Sequence, residues 1–274
     1  MFVMTSHRRI LITGAAGALG RCVRDGLVGA YEIVRSTDIA PLAGARNGEE
    51  VEAGDLRDLD DAVRLATGVD AIVHLAGIPR EADWETIRDV NIDGTYHVYE
   101  AARLAGVRRV IFASSNHTVG FYRRDTPIGR EAPVRPDSRY GVSKVVGEAL
   151  ARLYADKYGI ESVCLRIGQF RPQPTNPRML ALWISERDLV SLIRCSLDTD
   201  GVHFEVVYGI SDNSRGWYED PYGRLPFKPR DNAESQATDD VLADRSESLT
   251  PVSAVFQGGP YCEDEFSGSP DRIS

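Results

Sequence analysis

The chain has 274 residues, 42% of them hydrophobic, and a formal net charge of −9. That supports one large domain, or a domain with a small appendage, and the acidic balance argues against a nucleic-acid partner, which needs a basic surface. No apolar run approaches the ~20 residues of a membrane span. The start of the chain lacks the apolar stretch of a signal peptide, so a cytoplasmic protein is expected. Cys22, Cys164, Cys195 and Cys262 form no Cys-x-x-Cys pair, and no His cluster accompanies them. Reduced thiols and no metal site are therefore expected.

Short apolar runs alternate with helical patterns up to about residue 170. Arg9–Thr13 reads as a buried strand, 18–28 as a helix, Tyr31–Asp38 as a second strand and 50–55 as a third. A helix over 58–67 precedes a buried strand over 71–76, and 84–105 carries a long helical pattern. Strands over 109–115 and 162–167 flank a helix over 139–158. This alternation predicts βαβ units and a doubly wound parallel sheet of Rossmann-like α/β type. After Gly168 the texture changes. The run 171–178 is proline-rich and cannot be a regular helix. One helix (186–197) and one strand (203–208) return to the core, 211–233 is rich in Gly, Pro and aromatics, and 235–250 is polar and acidic. The expected division is a core over 1–168 and a small substrate-covering lobe with a tail over 169–274, whose last dozen residues should be poorly ordered.

The turn Thr13-Gly14-Ala15-Ala16-Gly17-Ala18-Leu19-Gly20 joins the first strand to the first helix. Glycines there permit a tight turn and close approach of a pyrophosphate, and a helix N-terminus offers free N–H groups. Ala16, Ala18 and Leu19 belong to the same cradle. Asp38 ends the second strand, where a carboxylate can accept from ribose hydroxyls and repel a 2′-phosphate. The following Ile39-Ala40-Pro41 supplies no cation, so NAD is favoured over NADP; a turn-forming Asp is the plainer reading. Asp55-Leu56 after the third strand is placed to contact adenine. Leu75-Ala76-Gly77 after the fourth lets backbone approach the cofactor.

Tyr140 and Lys144 share a helix face at i and i+4. A cation beside a phenol favours the phenolate, which makes a general base usable near neutral pH. With 11 Tyr and Lys only at 144, 157 and 228, chance pairs at this spacing number about 0.1. Ser115, at the end of the fifth strand, can hold a substrate oxygen while the phenolate takes its proton; Ser114 competes, and spacing favours Ser115. The substrate then sits beyond the carboxyl ends of the strands.

On these residues, and on Asn91 in Asn91-Ile92-Asp93-Gly94-Thr95, the chain resembles the extended short-chain dehydrogenase/reductases. That resemblance implies Ser115, Tyr140 and Lys144 as the catalytic set, with Lys144 also holding the nicotinamide ribose, and Asn91 and Ile167 at the cofactor. A narrower match involves Phe112–Gly120, Gly147-Glu148, Arg166-Ile167-Gly168, Arg178-Met179-Leu180, Trp183, Val207-Tyr208-Gly209, Trp217 and Phe256-Gln257-Gly258-Gly259. There the chain is similar to bacterial uronate dehydrogenases, which oxidise C1 of a hexuronic acid to an aldarolactone with NAD. The likeness implies that Asn116 and His117 touch sugar oxygens and that Arg178 holds the C6 carboxylate, since a guanidinium fits a carboxylate with two hydrogen bonds. At two sugar-contacting places where that family has serine, this chain has Pro79, which has no side-chain donor, and Gln169, which both donates and accepts.

Competing readings are a nucleotide-sugar epimerase or dehydratase of the same superfamily, for which about 100 C-terminal residues are few, and a non-catalytic NAD-sensing protein, which need not keep the Tyr/Lys pair. By analogy a homo-oligomer is expected.

Overall fold

The computed structural model describes residues 9–243 and 251–273. The chain's first eight residues and residues 244–250, part of the acidic stretch, lie outside the described residues. Seven parallel strands form the central sheet: β1 (Arg9–Thr13), β2 (Ile33–Asp38), β3 (Glu49–Ala53), β4 (Ala71–His74), β5 (Arg109–Ser115), β6 (Glu161–Ile167) and β7 (Phe204–Gly209). Their spatial order is β7-β6-β5-β4-β1-β2-β3. The order reverses between β1 and β4, which opens a crevice at their carboxyl ends.

The reason for two covered faces is visible in single strands. Ile10 and Ile12 enter one apolar cluster and Leu11 the other; Val73 opposes Ile72, Ile111 opposes Val110 and Phe112, and Leu165 opposes Cys164. This period of two with no polar face requires helices on both sides. One cluster is closed by α1 (Ala18–Leu27) and α6 (Glu186–Asp198) through Val23, Leu27, Leu189, Leu192 and Ile193. The other is closed by α2 (Leu59–Ala66), α4 (Gly94–Ala105) and α5 (Arg139–Tyr158) through Leu65, Val98, Ala151 and Tyr154. Each fully buried aliphatic side chain contributes about 1.5–3 kcal/mol.

The described elements follow the sequence pattern, with several differences. β2 begins two residues later than expected and β4 ends at His74, not Ala76. The helical run 84–105 is divided into α3 (Trp84–Ile87), a π-helical segment Arg88–Asp93, and α4. Within the π segment the Asn91 side chain is buried and bonds Ile78 N (2.8 Å), Ile78 O (3.1 Å) and Ser143 Oγ (3.1 Å); such local widening recurs where a side chain must be aimed.

Beyond Gly168 there is more regular structure than one helix and one strand. Gln169–Phe170 pairs with Trp183–Ile184, and Ile128–Gly129 with Tyr218–Glu219. Short helices occupy Met179–Leu182, Ala233–Gln236, Asp239–Ala243, Pro251–Val255 and Pro260–Glu263. Elements this short carry no readable period. The expectation of poor order at the end also fails for 263–273. Glu265 pairs with Arg139 at 2.6 Å, the Phe266 ring lies 6.4 Å from that of Phe121, and Pro270–Arg272 forms a 3-10 turn.

Candidate active site

The carboxyl ends of β1, β4, β5 and β6 open into a cleft of about 470 Å³, continuous through Gly14, Gly17, Leu75, Gly77 and Ile78 with a second chamber of about 320 Å³. Gly14 has φ +70°, and a Cβ there would lie 2.6 Å from Ala76 N. A Cβ on Gly20 would lie 2.1 Å from Gly14 O, so positions 14 and 20 can pack only as glycine. Gly17 is the N-cap of α1 and no side chain caps that end, leaving the first-turn N–H groups for an anion. Ala18, Leu19 and Gly20 line the main cleft. Ala16 lines neither chamber: its N–H donates to Asp38 Oδ2 at 3.0 Å.

Asp38, Asp55, Leu56, Leu75, Ala76 and Gly77 line the second chamber together with Thr37 and Arg57. The Asp38 carboxylate is oriented by Ala16 N and by Ala40 N at 2.9 Å. A cation does stand in this chamber, supplied by Arg57 and not by the residues after Asp38. It is tied to Asp55 by an ion pair of 2.5 Å, which holds the Asp55 carboxyl below its ordinary range. Asn91 lines neither chamber; it braces Ile78 and, through Ser143, α5.

Helix α5 carries Tyr140 and Lys144 against β5. Ser138 caps it by accepting from Gly141 N at 3.0 Å, and Gly147 lets it approach so closely that a Cβ would meet the Phe112 ring at 2.3 Å. The carboxylate of Glu81 accepts from the N–H groups of Arg139 (3.2 Å) and Tyr140 (3.0 Å), and so fixes the first turn. No sequence spacing signals a cap supplied from 58 residues away.

Tyr140, Lys144, Ser115, His117, Gln169, Pro79 and Ile167 all line the main cleft. Ser115 Oγ accepts from His117 N at 3.2 Å and stands close enough to the Tyr140 phenol to lower its pKa. The Ser114 hydroxyl is committed elsewhere, donating to Glu148 Oε1 at 2.6 Å beneath the Arg166–Glu148 pair.

The protonation states differ from the sequence expectation. Lys144 Nζ lies 5.7 Å from the Tyr140 ring centroid and 5.0 Å from that of Phe112. Burial pushes the Tyr140 phenol up to about 12, against a smaller lowering by Ser115. Burial also brings the Lys144 ammonium down to about 8. Desolvation thus outweighs the expected help of the cation in the ligand-free site.

Two predicted substrate residues stand behind the cleft wall. Asn116 and Arg178 do not line it. The Asn116 amide is oriented with its nitrogen donating to Ile167 O (3.2 Å) and its oxygen accepting from Arg178 Nη2 (3.1 Å). Arg178 is buried, its Nε donates to Gln257 O at 2.8 Å, and no carboxylate among the described residues pairs with it. Burial lowers its pKa below the ordinary guanidinium value. In the wall itself, Gln169 Oε1 is buried and accepts no hydrogen bond from any described residue.

Tyr261 is a cleft residue with no sequence signal. Its ring stacks on His117 at 3.9 Å, and its hydroxyl donates to Pro79 O at 3.2 Å. It comes from the short helix after the Gly258-Gly259 turn, a region whose place over the cleft only tertiary packing sets.

The cradle therefore fits a dinucleotide. Comparison with known proteins agrees. The chain is 48% identical over 259 residues to the uronate dehydrogenase of Pseudomonas putida, covering 94% of this chain and 96% of that protein. It is 40% identical to the NAD-dependent glucose-6-phosphate dehydrogenase of Haloferax volcanii, covering 82% of this chain and 94% of that protein. The crystal structure of uronate dehydrogenase from Agrobacterium tumefaciens superposes with a TM-score of 0.89 at 43% identity, covering 93% and 97% of the two chains. A mutant of that enzyme complexed with NAD superposes with a TM-score of 0.86 at 41% identity, covering 96% and 99%. The sequence pattern of the NAD dependent epimerase/dehydratase family matches residues 10–188, and the chain belongs to that family.

Proposed function

We propose that the protein oxidises C1 of a hexuronic acid to its lactone, passing the hydride to NAD. The activity class is that of an NAD-dependent oxidoreductase acting on a CH–OH group. The observation that carries the sugar-acid reading is Arg178, a buried guanidinium with no carboxylate partner. An uncompensated buried cation is costly, and a ligand carboxylate would relieve that cost through charge-assisted bonds. Its cover is Asn116, Gln257 and the Gly259 backbone, so a carboxylate reaches it only as that cover yields.

Bound NAD supplies the hydride acceptor. Tyr140 takes the proton from the C1 hydroxyl as general base, Ser115 holds the same oxygen, and Lys144 binds the nicotinamide ribose hydroxyls. A phenol held near 12 is a poor base at neutral pH, so the role requires that bound ligands lower it, as positive charge close to the hydroxyl does. Asp38 binds the adenosine ribose. Asn91 holds the loop at Gly77 in place. His117, Asn116 and Gln169 receive or donate sugar hydroxyl bonds, and Pro79 contributes its backbone.

Residues 169–243 and 251–273, apart from α6 and β7, act as the small substrate lobe over the core of residues up to 168. The exposed Tyr96 and Leu104 of α4 and Leu153 of α5 support a homo-oligomer. A cytoplasmic setting follows the same reading; among the described residues no helix is long and apolar enough to cross a membrane.

A second reading, an aldose carrying a phosphate at C6, is favoured by the identity with the glucose-6-phosphate dehydrogenase; it too places an anion at Arg178. The test is NADH production from hexuronic acids, neutral hexoses and hexose 6-phosphates. The proposal expects the acids to be oxidised with the highest kcat/KM. A preference for neutral hexoses or for the phosphates would replace the hexuronate assignment.

A further inference from the structure

His117 is held by more than its own strand end. Its Nδ1 lies 2.6 Å from Asp137 Oδ2, and the Asp137 side chain is fully buried. The other carboxylate oxygen accepts from Ser138 Oγ at 2.7 Å. Three glycines make room for this carboxylate. A Cβ on Gly120 would stand 1.8 Å from Asp137 Oδ2, one on Gly258 2.0 Å from the same oxygen, and one on Gly141 3.2 Å from Oδ1. Side chains at the first two positions would expel it, so three separate segments shape a niche for one carboxylate.

We infer that Asp137 is a positioning residue which fixes the proton of His117 on Nδ1, so that Nε2 presents a lone pair to a hydroxyl of the bound sugar. An ionised carboxylate can only accept, so the bond to Asp137 requires the proton on Nδ1. With Nδ1 thus committed, the neutral ring has Nε2 as its acceptor. His117 lines the cleft, and Nε2 makes no hydrogen bond with any described residue. The groups around the pair are Tyr140 edge-on to the ring and Tyr261 stacked on it. Asp137 also affects the electrostatics of Arg178 and Cys262. Gln169 Oε1 offers a second unpaired acceptor in the same cleft. Two acceptors without donors suit a polyhydroxy ligand, so the inference rests on the sugar reading above.

The test has two arms. In protein labelled with ¹⁵N-histidine at about pH 8, where an ordinary imidazole is neutral, long-range ¹H–¹⁵N correlations should show His117 with its proton on Nδ1. A proton on Nε2 would overturn the inference. This arm needs no substrate, so it stands even if no sugar is oxidised, an outcome that would count against the hexuronate reading alone. The second arm is Asp137→Asn. Ser138 Oγ–H should draw the amide oxygen, turning the NH₂ toward Nδ1 and moving the ring proton to Nε2. Donor would then face donor in the sugar complex, and kcat/KM for the sugar should fall about 10- to 100-fold with KM for NAD unchanged. A variant whose ring keeps its proton on Nδ1, or one whose ring switches while sugar kcat/KM stays within twofold, overturns the inference. Should Asp137→Asn not fold, the measurement on the unmutated protein decides.

Discussion

Replacing Arg178 with alanine tests the substrate reading through a number. Of the roughly five N–H donors of a guanidinium, one on Nε is used by Gln257 O and one on Nη2 by Asn116. The rest, including both on Nη1, bond no described residue and could serve a ligand carboxylate once the cover yields. Truncating one partner of a desolvated charge pair costs about 2–5 kcal/mol, which is about 30- to 5000-fold in kcat/KM. Arg178→Ala should impose that loss on a hexuronic acid, mainly through KM, and much less on the matching neutral hexose. Folding stability should change little. Gln257 O and Asn116 each lose a donor, at about 1–3 kcal/mol apiece, while removal of an unpaired buried cation offsets this. Arg178→Lys should rescue only part of the loss, because an ammonium cannot form the same fork. The assay is steady-state NADH formation on both substrates, with a thermal melt as control. An equal penalty on acid and neutral sugar would show Arg178 to be structural and refute the reasoning.

Three further outcomes follow from the same geometry. Tyr140→Phe should lose about 10²–10⁴-fold in kcat while NAD affinity, read by fluorescence titration, stays nearly intact; retention of most of kcat would remove Tyr140 as the base. Asp38→Ser should weaken NAD and relax discrimination against NADP, and equal kcat/KM for both cofactors in the unmutated protein would sink the role of the carboxylate. Lys144, at about 8 in the fold against an ordinary 10.5, is protonated in the unfolded chain and increasingly neutral in the folded one between those values. Ligand-free stability should therefore rise with pH across that window, by about 2 kcal/mol from pH 8 to 9.5 relative to Lys144→Met. Urea midpoints that show no such divergence would contradict the burial argument.

The sheet was legible because its strands are short apolar runs separated by helical patterns, and because Gly14, Gly17 and Gly20 fall where β1 meets α1. The Tyr140/Lys144 pair was legible because i and i+4 spacing survives any tertiary arrangement. Its electrostatics were not: spacing says nothing of burial, and burial is what raises Tyr140 and lowers Lys144. The π-helical segment at Arg88–Asp93 was hidden because the apolar period runs through it. Glu81, Asp137 and Tyr261 were missed for a common reason. Each acts across the fold, on an N-terminus, a ring nitrogen or a ring face, and no short-range pattern encodes such a contact. Arg57 shows the same limit: Ile39-Ala40-Pro41 contains no cation, yet the loop after β3 brings one into the chamber, already paired with Asp55.

The central claim, oxidation at C1 with net hydride transfer to NAD, is tested most directly with a hexuronic acid deuterated at C1. Incubated with the protein and NAD, it should yield reduced cofactor carrying deuterium at C4 of the nicotinamide, in step with lactone formation. Absence of net reduction, with the sugar returned inverted at another carbon, would contradict the account and point to an epimerase; reduced cofactor without the label would place the oxidation at a different carbon.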